Sequence, residues 1–283
     1  MDIKGKGCVV TGGGSGIGRG IALALADAGS TGIVIADVQM DRAEAVREEL
    51  EKKGVRARTF KCDVRDSQEV DALAAFAWEE LGSVEVLCNN AGIISPGPGF
   101  DTTDNDLRWQ FEVNVYGVFN GCRAFGKRFL GQDGKAWIVN TASHHAVGCP
   151  TKGVATYVAT KHAVLGFSDA YRLEYGEKIG FSVLCPGIIN TELWDAGRTR
   201  PAEFGDAFEG SEHNLNALRT YGMSPEYVGG LVTKAIAAED FFIWTHPFTI
   251  ELIEKRYAEG KGSITRQWPD GPQEFHKRTP AKV

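Results

Sequence analysis

The sequence has little of what marks a special environment. Of its 283 residues, six are cysteine, three methionine and ten proline. The nearest two cysteines, Cys62 and Cys88, stand 26 residues apart, so no CxxC pair offers a zinc or redox site. No metal site is expected. No run approaches the roughly 18 apolar residues of a membrane span. The opening MDIKGK runs almost straight into a strand, with no hydrophobic leader. No lysine or arginine block is present, and the net charge is −6 with a pI near 5.6. Such a chain has no electrostatic reason to bind nucleic acid or an anionic membrane. Cys8, Cys88 and Cys185 lie in apolar runs, which reads as buried, reduced thiols in a cytoplasmic protein.

What is abundant is glycine, 35 residues of it, set in a regular alternation of strand and helix signals. Short apolar runs at 7–10, 33–36, 58–62, 84–88, 136–140, 181–185 and 241–245 read as strands. Between them, helical spacing predicts helices over 16–28, 40–54, 66–81, 104–130, 156–178 and 225–238. Strands buried on both faces and separated by helices predict an α/β fold, a doubly wound seven-stranded parallel sheet of the Rossmann kind with helices on both faces. One domain is expected over 1–259. Residues 192–223 form a mixed loop at the C-terminal edge of the sheet, a candidate lid, and 260–283 read as a polar tail.

The stretch TGGGSGIG at 11–18 joins the first strand to the first helix. Its glycines let the backbone approach a pyrophosphate, and the helix N-terminus supplies N–H groups and partial positive charge. Gly12, Ser15, Gly16, Ile17 and Gly18 are the candidate contacts. Asp37 ends the second strand, 19 residues after Gly18. A carboxylate there accepts hydrogen bonds from adenosine ribose hydroxyls and repels a 2′-phosphate. Val38 follows it, and the loop carries Ser15 rather than a cation, so NAD is favoured over NADP. Arg19 reads as facing solvent or the phosphates.

Tyr157 and Lys161 stand at i and i+4 near a helix start, which puts both on one face. A phenol with a pKa of about 10 transfers protons poorly near neutrality. A neighbouring ammonium favours the phenolate. The pair suits proton exchange with a substrate oxygen during a hydride transfer.

Seven motifs in order over residues 5–190 resemble the short-chain dehydrogenase/reductase family. They are TGGGSGIG at 11–18, Asp63-Val64, NNAG at 89–92, Asn114 in VNVYG, Ser143 in IVNTAS, YVATK at 157–161 and PGIINT at 186–191. The resemblance implies a catalytic tetrad of Asn114, Ser143, Tyr157 and Lys161. Ser143 would hold the substrate oxygen near the Tyr157 hydroxyl. Asn114 would kink its helix and hold a water in a relay with Lys161. The resemblance also implies adenine contacts at Asp63 and Val64, a floor beside the adenosine ribose from Asn90, Ala91 and Gly92, and nicotinamide contacts at Pro186, Gly187, Ile188 and Thr191. Tyr157 and Lys161 would reach the nicotinamide ribose, and Gly18 would permit close helix packing. Ser143 to Tyr157 is 14 residues, one more than the commonest family spacing. The loop between them carries His144, His145 and Cys149, expected on the substrate side with Trp194 of the lid.

The lid holds Leu193, Trp194, Phe204, Phe208, Leu215, Leu218 and Tyr221, with six acids against three arginines. Such a cover suits an apolar or aryl secondary alcohol or its ketone. Residues 216–250 resemble the Cα-dehydrogenases that oxidise benzylic alcohols of lignin-type aryl ethers. The alternatives are an NADP-dependent carbonyl reductase, a hydroxysteroid dehydrogenase and a catalytically silent NAD(H)-binding sensor. The family resemblance implies a homodimer or homotetramer. In it the helix at 156–178, with Ala163, Val164, Phe167, Ala170 and Tyr171, faces the sheet or a partner.

Overall fold

The computed structural model describes residues 1–148, 151–206 and 211–269. Seven parallel strands form one sheet: β1 (Gly7–Thr11), β2 (Gly32–Asp37), β3 (Arg56–Lys61), β4 (Val86–Asn89), β5 (Ala136–Thr141), β6 (Ile179–Cys185) and β7 (Phe242–Trp244). Their spatial order is β3-β2-β1-β4-β5-β6-β7. The chain winds outward one way from β1 and returns to start the other half at β4. The crevice at this reversal, at the carboxyl ends of β1 and β4, is where an open α/β sheet binds ligands.

Strand alternation sorts the core into two layers. Cys8, Val10, Ile33, Ile35 and Cys88 face α1 (Gly16–Asp27), α2 (Met40–Lys52) and α8 (Pro225–Ala238). Val9, Val34 and Leu87 face α3 (Ser67–Leu81), α5 (Gly117–Gly131) and α6 (Ala155–Tyr175). Both sheet faces are therefore dry, which is why the strands read as continuous apolar runs.

Three elements depart from expectation. The helix expected over 104–130 is α4 (Asp104–Phe111), a π turn at Glu112–Tyr116, then α5. The wider turn is closed by the Gly117 N–H donating to Glu112 five residues back, and such turns loosen a helix locally. The lid contains α7 (Glu212–Tyr221), capped by Ser211, which accepts from the Asn214 N–H. Finally, α9 (Thr249–Gln267) runs across the boundary drawn at residue 260. Gly260 and Gly262 read as loop residues, but within α9 only Thr249 is buried, so no apolar stripe announced it. The rest of the expected tail, from 270, lies outside the described residues.

Helices α1 and α8 meet backbone to backbone. A Cβ on Gly20 would lie 2.1 Å from the Pro225 carbonyl oxygen, and one on Gly229 would lie 2.1 Å from the Gly20 carbonyl oxygen. This crossing fixes α1, whose N-terminus borders the crevice. Replacing Gly229 with alanine should push the helices apart and cost about 1–3 kcal/mol. A thermal melt checks this, and an unchanged Tm would show that the crossing carries no such constraint.

Candidate active site

The glycine-rich loop is shaped by close approach. Gly12 has φ +60°, and a Cβ there would meet Ala91 Cα at 2.8 Å. Gly16 has φ +49° and faces Thr191. Gly18 allows α1 to lie on the loop, since a Cβ would meet the Gly12 carbonyl oxygen at 2.1 Å. Asn90 staples the loop from β4: its Nδ2 donates to the carbonyls of Thr11 (3.2 Å) and Gly12 (3.3 Å), and its N–H donates to Thr11 Oγ1. Ser15 is the N-cap of α1 and spends no side-chain hydrogen bond on the cap. Asp37 does not cap α2. Its carboxylate accepts the Gly14 N–H at 2.9 Å and the Gln39 N–H at 3.0 Å, which holds it at the end of β2.

A cavity of about 490 Å³ opens along this edge. Gly12, Ser15, Gly16, Ile17 and Asp37 line one end, with Asp63, Val64 and Arg65 beside them. Asn90, Ala91, Gly92, Pro186, Gly187, Ile188 and Thr191 line its middle. Ser143, His144, His145, Tyr157, Lys161 and Trp194 line the far end. Gly18 and Asn114 sit behind the wall, and Cys149 and Phe208 lie outside the described residues. Ile94, Trp109, Thr151, Leu193 and Leu218 also line the cavity. Single-sequence motifs had marked no role for Trp109, Ile94 or Thr151, because only the fold brings them there.

Tyr157 sits in an apolar nest of Ile94, Val154, Leu193 and Trp194. The His145 ring stands perpendicular to it, 6.1 Å between centroids. Burial pushes its phenol up to about 12, partly offset by a hydrogen bond with Ser143. The Ser143 Oγ accepts the His145 N–H at 3.2 Å, which leaves the serine proton to be donated elsewhere. Lys161 is 3% exposed, and its ammonium donates to the Thr141 carbonyl at 2.9 Å. Burial lowers it to about 8. The sequence suggested that this ammonium lowers the phenol. Here it lies beside the ring, 5.5 Å from the centroid, and desolvation of the phenolate dominates instead.

Asn114 occupies the π turn and is fully buried. Its Oδ1 accepts the Ile93 N–H, and its Nδ2 donates to the Ile93 carbonyl and to Thr160 Oγ1. Both amide N–H groups are thus used on protein, and the side chain clamps the exit of β4. Gly92 fits between the two: a Cβ there would meet Asn114 Oδ1 at 3.3 Å and Lys161 Nζ at 3.4 Å.

His144 is no acid at neutral pH. Burial and its neighbours His145 and His246 push it down to about 4. His246 had no signal in the sequence. Thr245 Oγ1 accepts the Gly187 N–H at 2.9 Å and shares a hydrogen bond with His246 Nδ1 at 2.7 Å, which braces the Pro186-Gly187 bend. Among the described residues no group of His, Cys, Asp or Glu is arranged to hold a metal ion, and no helix is long and apolar enough to cross a membrane.

Arg19 is partly exposed, as expected, and does not line the groove. It pairs with Glu49 (2.7 Å) and Glu226 beside a second cavity of about 370 Å³. The lid aromatics divide between two jobs. Phe204 is buried on Trp109, Ile93 and Ala196, and Leu215 is buried too, so these dock the lid. Leu193, Trp194 and Leu218 face the cavity, and Tyr221 is exposed.

The short chain dehydrogenase family matches this chain over residues 6–201, and the chain belongs to it. A diacetyl reductase [(S)-acetoin forming] of Staphylococcus epidermidis is 32% identical, covering 84% of this chain and 94% of its own. A C alpha-dehydrogenase of a Sphingobium species is also 32% identical, covering 90% of this chain and 85% of its own, well beyond residues 216–250. Among solved structures, a short chain dehydrogenase/reductase from Burkholderia phymatum in complex with NAD superposes with a TM-score of 0.85 at 33% identity, covering 93% of this chain and 96% of that one. A short chain dehydrogenase from Burkholderia cenocepacia in complex with NADP gives 0.72 at 28% identity, covering 86% and 98%.

The buried ammonium has a measurable cost. Lys161 titrates near 8 folded against an ordinary 10.5, so the folded chain sheds this proton first. The charge therefore destabilises the fold below pH 8, and the penalty fades as pH rises toward 10.5. Lys161→Met should raise the Tm of the cofactor-free protein at neutral pH by a few degrees, for a gain of at least ~1 kcal/mol. The gap over wild type should narrow in alkali. A lower Tm in the variant would mean that the Thr141 hydrogen bond outweighs desolvation.

Proposed function

We propose that this oxidoreductase is an NAD-dependent dehydrogenase of bulky secondary alcohols, aryl carbinols foremost, working through Tyr157. The observation that carries the reading is one cavity with Asp37 at one end and Ser143, Tyr157 and Lys161 at the other. The residues fit a dinucleotide. Gly12 and Gly16 give the backbone turn, the N-terminus of α1 faces the cavity wall, and Asp37 stands ready for ribose hydroxyls. When bound, NAD accepts the hydride and brings a positive ring charge that favours a nearby phenolate.

The chain's own residues handle the proton. Ser143, with its oxygen already accepting from His145, donates its hydroxyl to the substrate oxygen and fixes it beside Tyr157. Tyr157 takes the carbinol proton in oxidation and returns it in reduction. Lys161, anchored on Thr141, holds positive charge against that end of the site. The walls of Ile94, Trp109, Leu193 and Trp194 exclude water and suit an apolar substituent. The C alpha-dehydrogenase relative supports an aryl alcohol.

The preference for NAD rests on Asp37, with Val38 next to it. Of the nearby cations, Arg42 borders the second cavity and is engaged by Glu192, and Arg65, in the groove wall, is engaged by Asp63. A paired assembly is supported by the π turn, α5 and α6, which leave Tyr116, Phe119, Leu173 and Tyr175 exposed, while Val164 points into the core.

Tyr157→Phe should lower kcat for a secondary aryl carbinol by about 10²–10⁴ while leaving NADH affinity unchanged. Equal loss of both would remove Tyr157 from the chemistry. Absorbance at 340 nm should show a higher kcat/KM with NAD than with NADP, and Asp37→Ala should shrink that ratio. A wild type that already prefers NADP overturns the ribose argument.

A further inference from the structure

Arg65 stands where three parts of the molecule meet. It follows the Asp63-Val64 pair at the exit of β3 and lines the cavity there. Its guanidinium grips the Asp63 carboxylate through Nε (2.9 Å) and Nη2 (2.7 Å). Its Nη1 reaches Glu203 of the lid at 2.6 Å and Glu112, at the start of the π turn that holds Asn114, at 3.4 Å. The same group lies over the ring of Phe204, 5.2 Å from its centroid, with Arg108 also at that ring. Thus one cation touches the base-binding end of the groove, the lid and the approach to the tetrad.

We propose that Arg65 is a positioning residue that couples the adenosine end of the groove to the substrate lid. The proposal rests on the dinucleotide reading above. Its physics is the strength of a partly wet ion pair. The Arg65 side chain is 17% exposed and that of Glu203 61%, so their attraction is screened by water. A base seated beside Asp63 covers the same guanidinium. Removing that water lowers the local dielectric and strengthens every ion pair that the guanidinium makes. The lid residues Glu203 and Phe204 are then held more firmly. By linkage, a lid held closed raises affinity for the dinucleotide by the same factor.

Two other arginines that tie the lid do not line the groove. Arg200 pairs with Asp106 at 2.6 Å, and neither lines the groove. Arg42 pairs with Glu192 at the start of the lid; Glu192 lines the groove, but Arg42 itself borders only the second cavity. Arg65 alone among these three arginines shares a wall with the groove.

The test is amide hydrogen exchange of residues 193–204 in the full-length protein, with and without saturating NADH. In wild type NADH should slow exchange there by about fivefold or more. In Arg65→Gln the effect should largely vanish although NADH still binds. Glu203→Gln, an exposed and structurally mild change, should do the same. Arg65→Lys should restore part of it, because an ammonium reaches one carboxylate but not three. Steady-state rates of Glu203→Gln, whose side chain is exposed and does not line the groove, should show a raised KM for the alcohol with kcat nearly kept. Full NADH protection of the lid in both glutamine variants would overturn the coupling, as would a wild-type lid indifferent to bound NADH. Absence of NADH binding to wild type, read by fluorescence, would instead sink the dinucleotide reading and the coupling with it.

Discussion

The site is organised around one constraint, a lysine charge buried with no carboxylate beside it among the described residues. Among the described residues Lys161 has only the Thr141 carbonyl as hydrogen-bond partner, and burial works against its charge. Much of the surrounding chain is shaped to tolerate that. The end of β5 supplies the carbonyl, Gly92 leaves room for the ammonium, and the π turn carries Asn114 in to close the space behind Gly92. The network Ile93, Asn114, Thr160 and the Tyr157 carbonyl ties the strand exit to α6, the helix that bears both Tyr157 and Lys161. A protein built for stability alone would place an apolar residue at 161.

The parts of this arrangement that were legible in the sequence are those governed by local rules. Seven apolar runs separated by helical spacing sufficed for the sheet and its two covered faces. The glycine loop and the Tyr-x-x-x-Lys pair are local patterns too, and they lie on the elements expected of them. The π turn was visible only through the family resemblance, since one extra residue in a turn leaves no mark in hydrophobic spacing. Helix α9 was missed because almost none of it is buried and two glycines interrupt it. His246 and Trp109 were missed for another reason. Their places depend on elements that meet across the sheet edge, and no sequence spacing encodes that meeting. The expected lowering of the Tyr157 phenol by Lys161 failed on desolvation, a quantity that requires the packed environment.

The same limit applies to the lid. Its aromatics read as one set, yet packing divides them. Phe204 and Leu215 hold the segment down, while Leu193, Trp194 and Leu218 face the cavity. Its charges divide likewise, into ties to α4 and α2 and the contact with Arg65. A cavity wall whose anchors and whose inward-facing residues are different side chains can change the second without loosening the first.

The glycine crossing of α1 and α8 gives that separation a further meaning. The lid leaves the sheet beside Thr191, which touches Gly16, and returns at Pro225, which touches Gly20. Both ends of the segment are therefore pinned to the same helix, only four residues apart along it. A segment anchored in this way at both ends can change in length and content while its entry and exit stay fixed. Specificity in such a chain can evolve by insertion and deletion, and not only by point substitution, without disturbing the crevice that the helix serves.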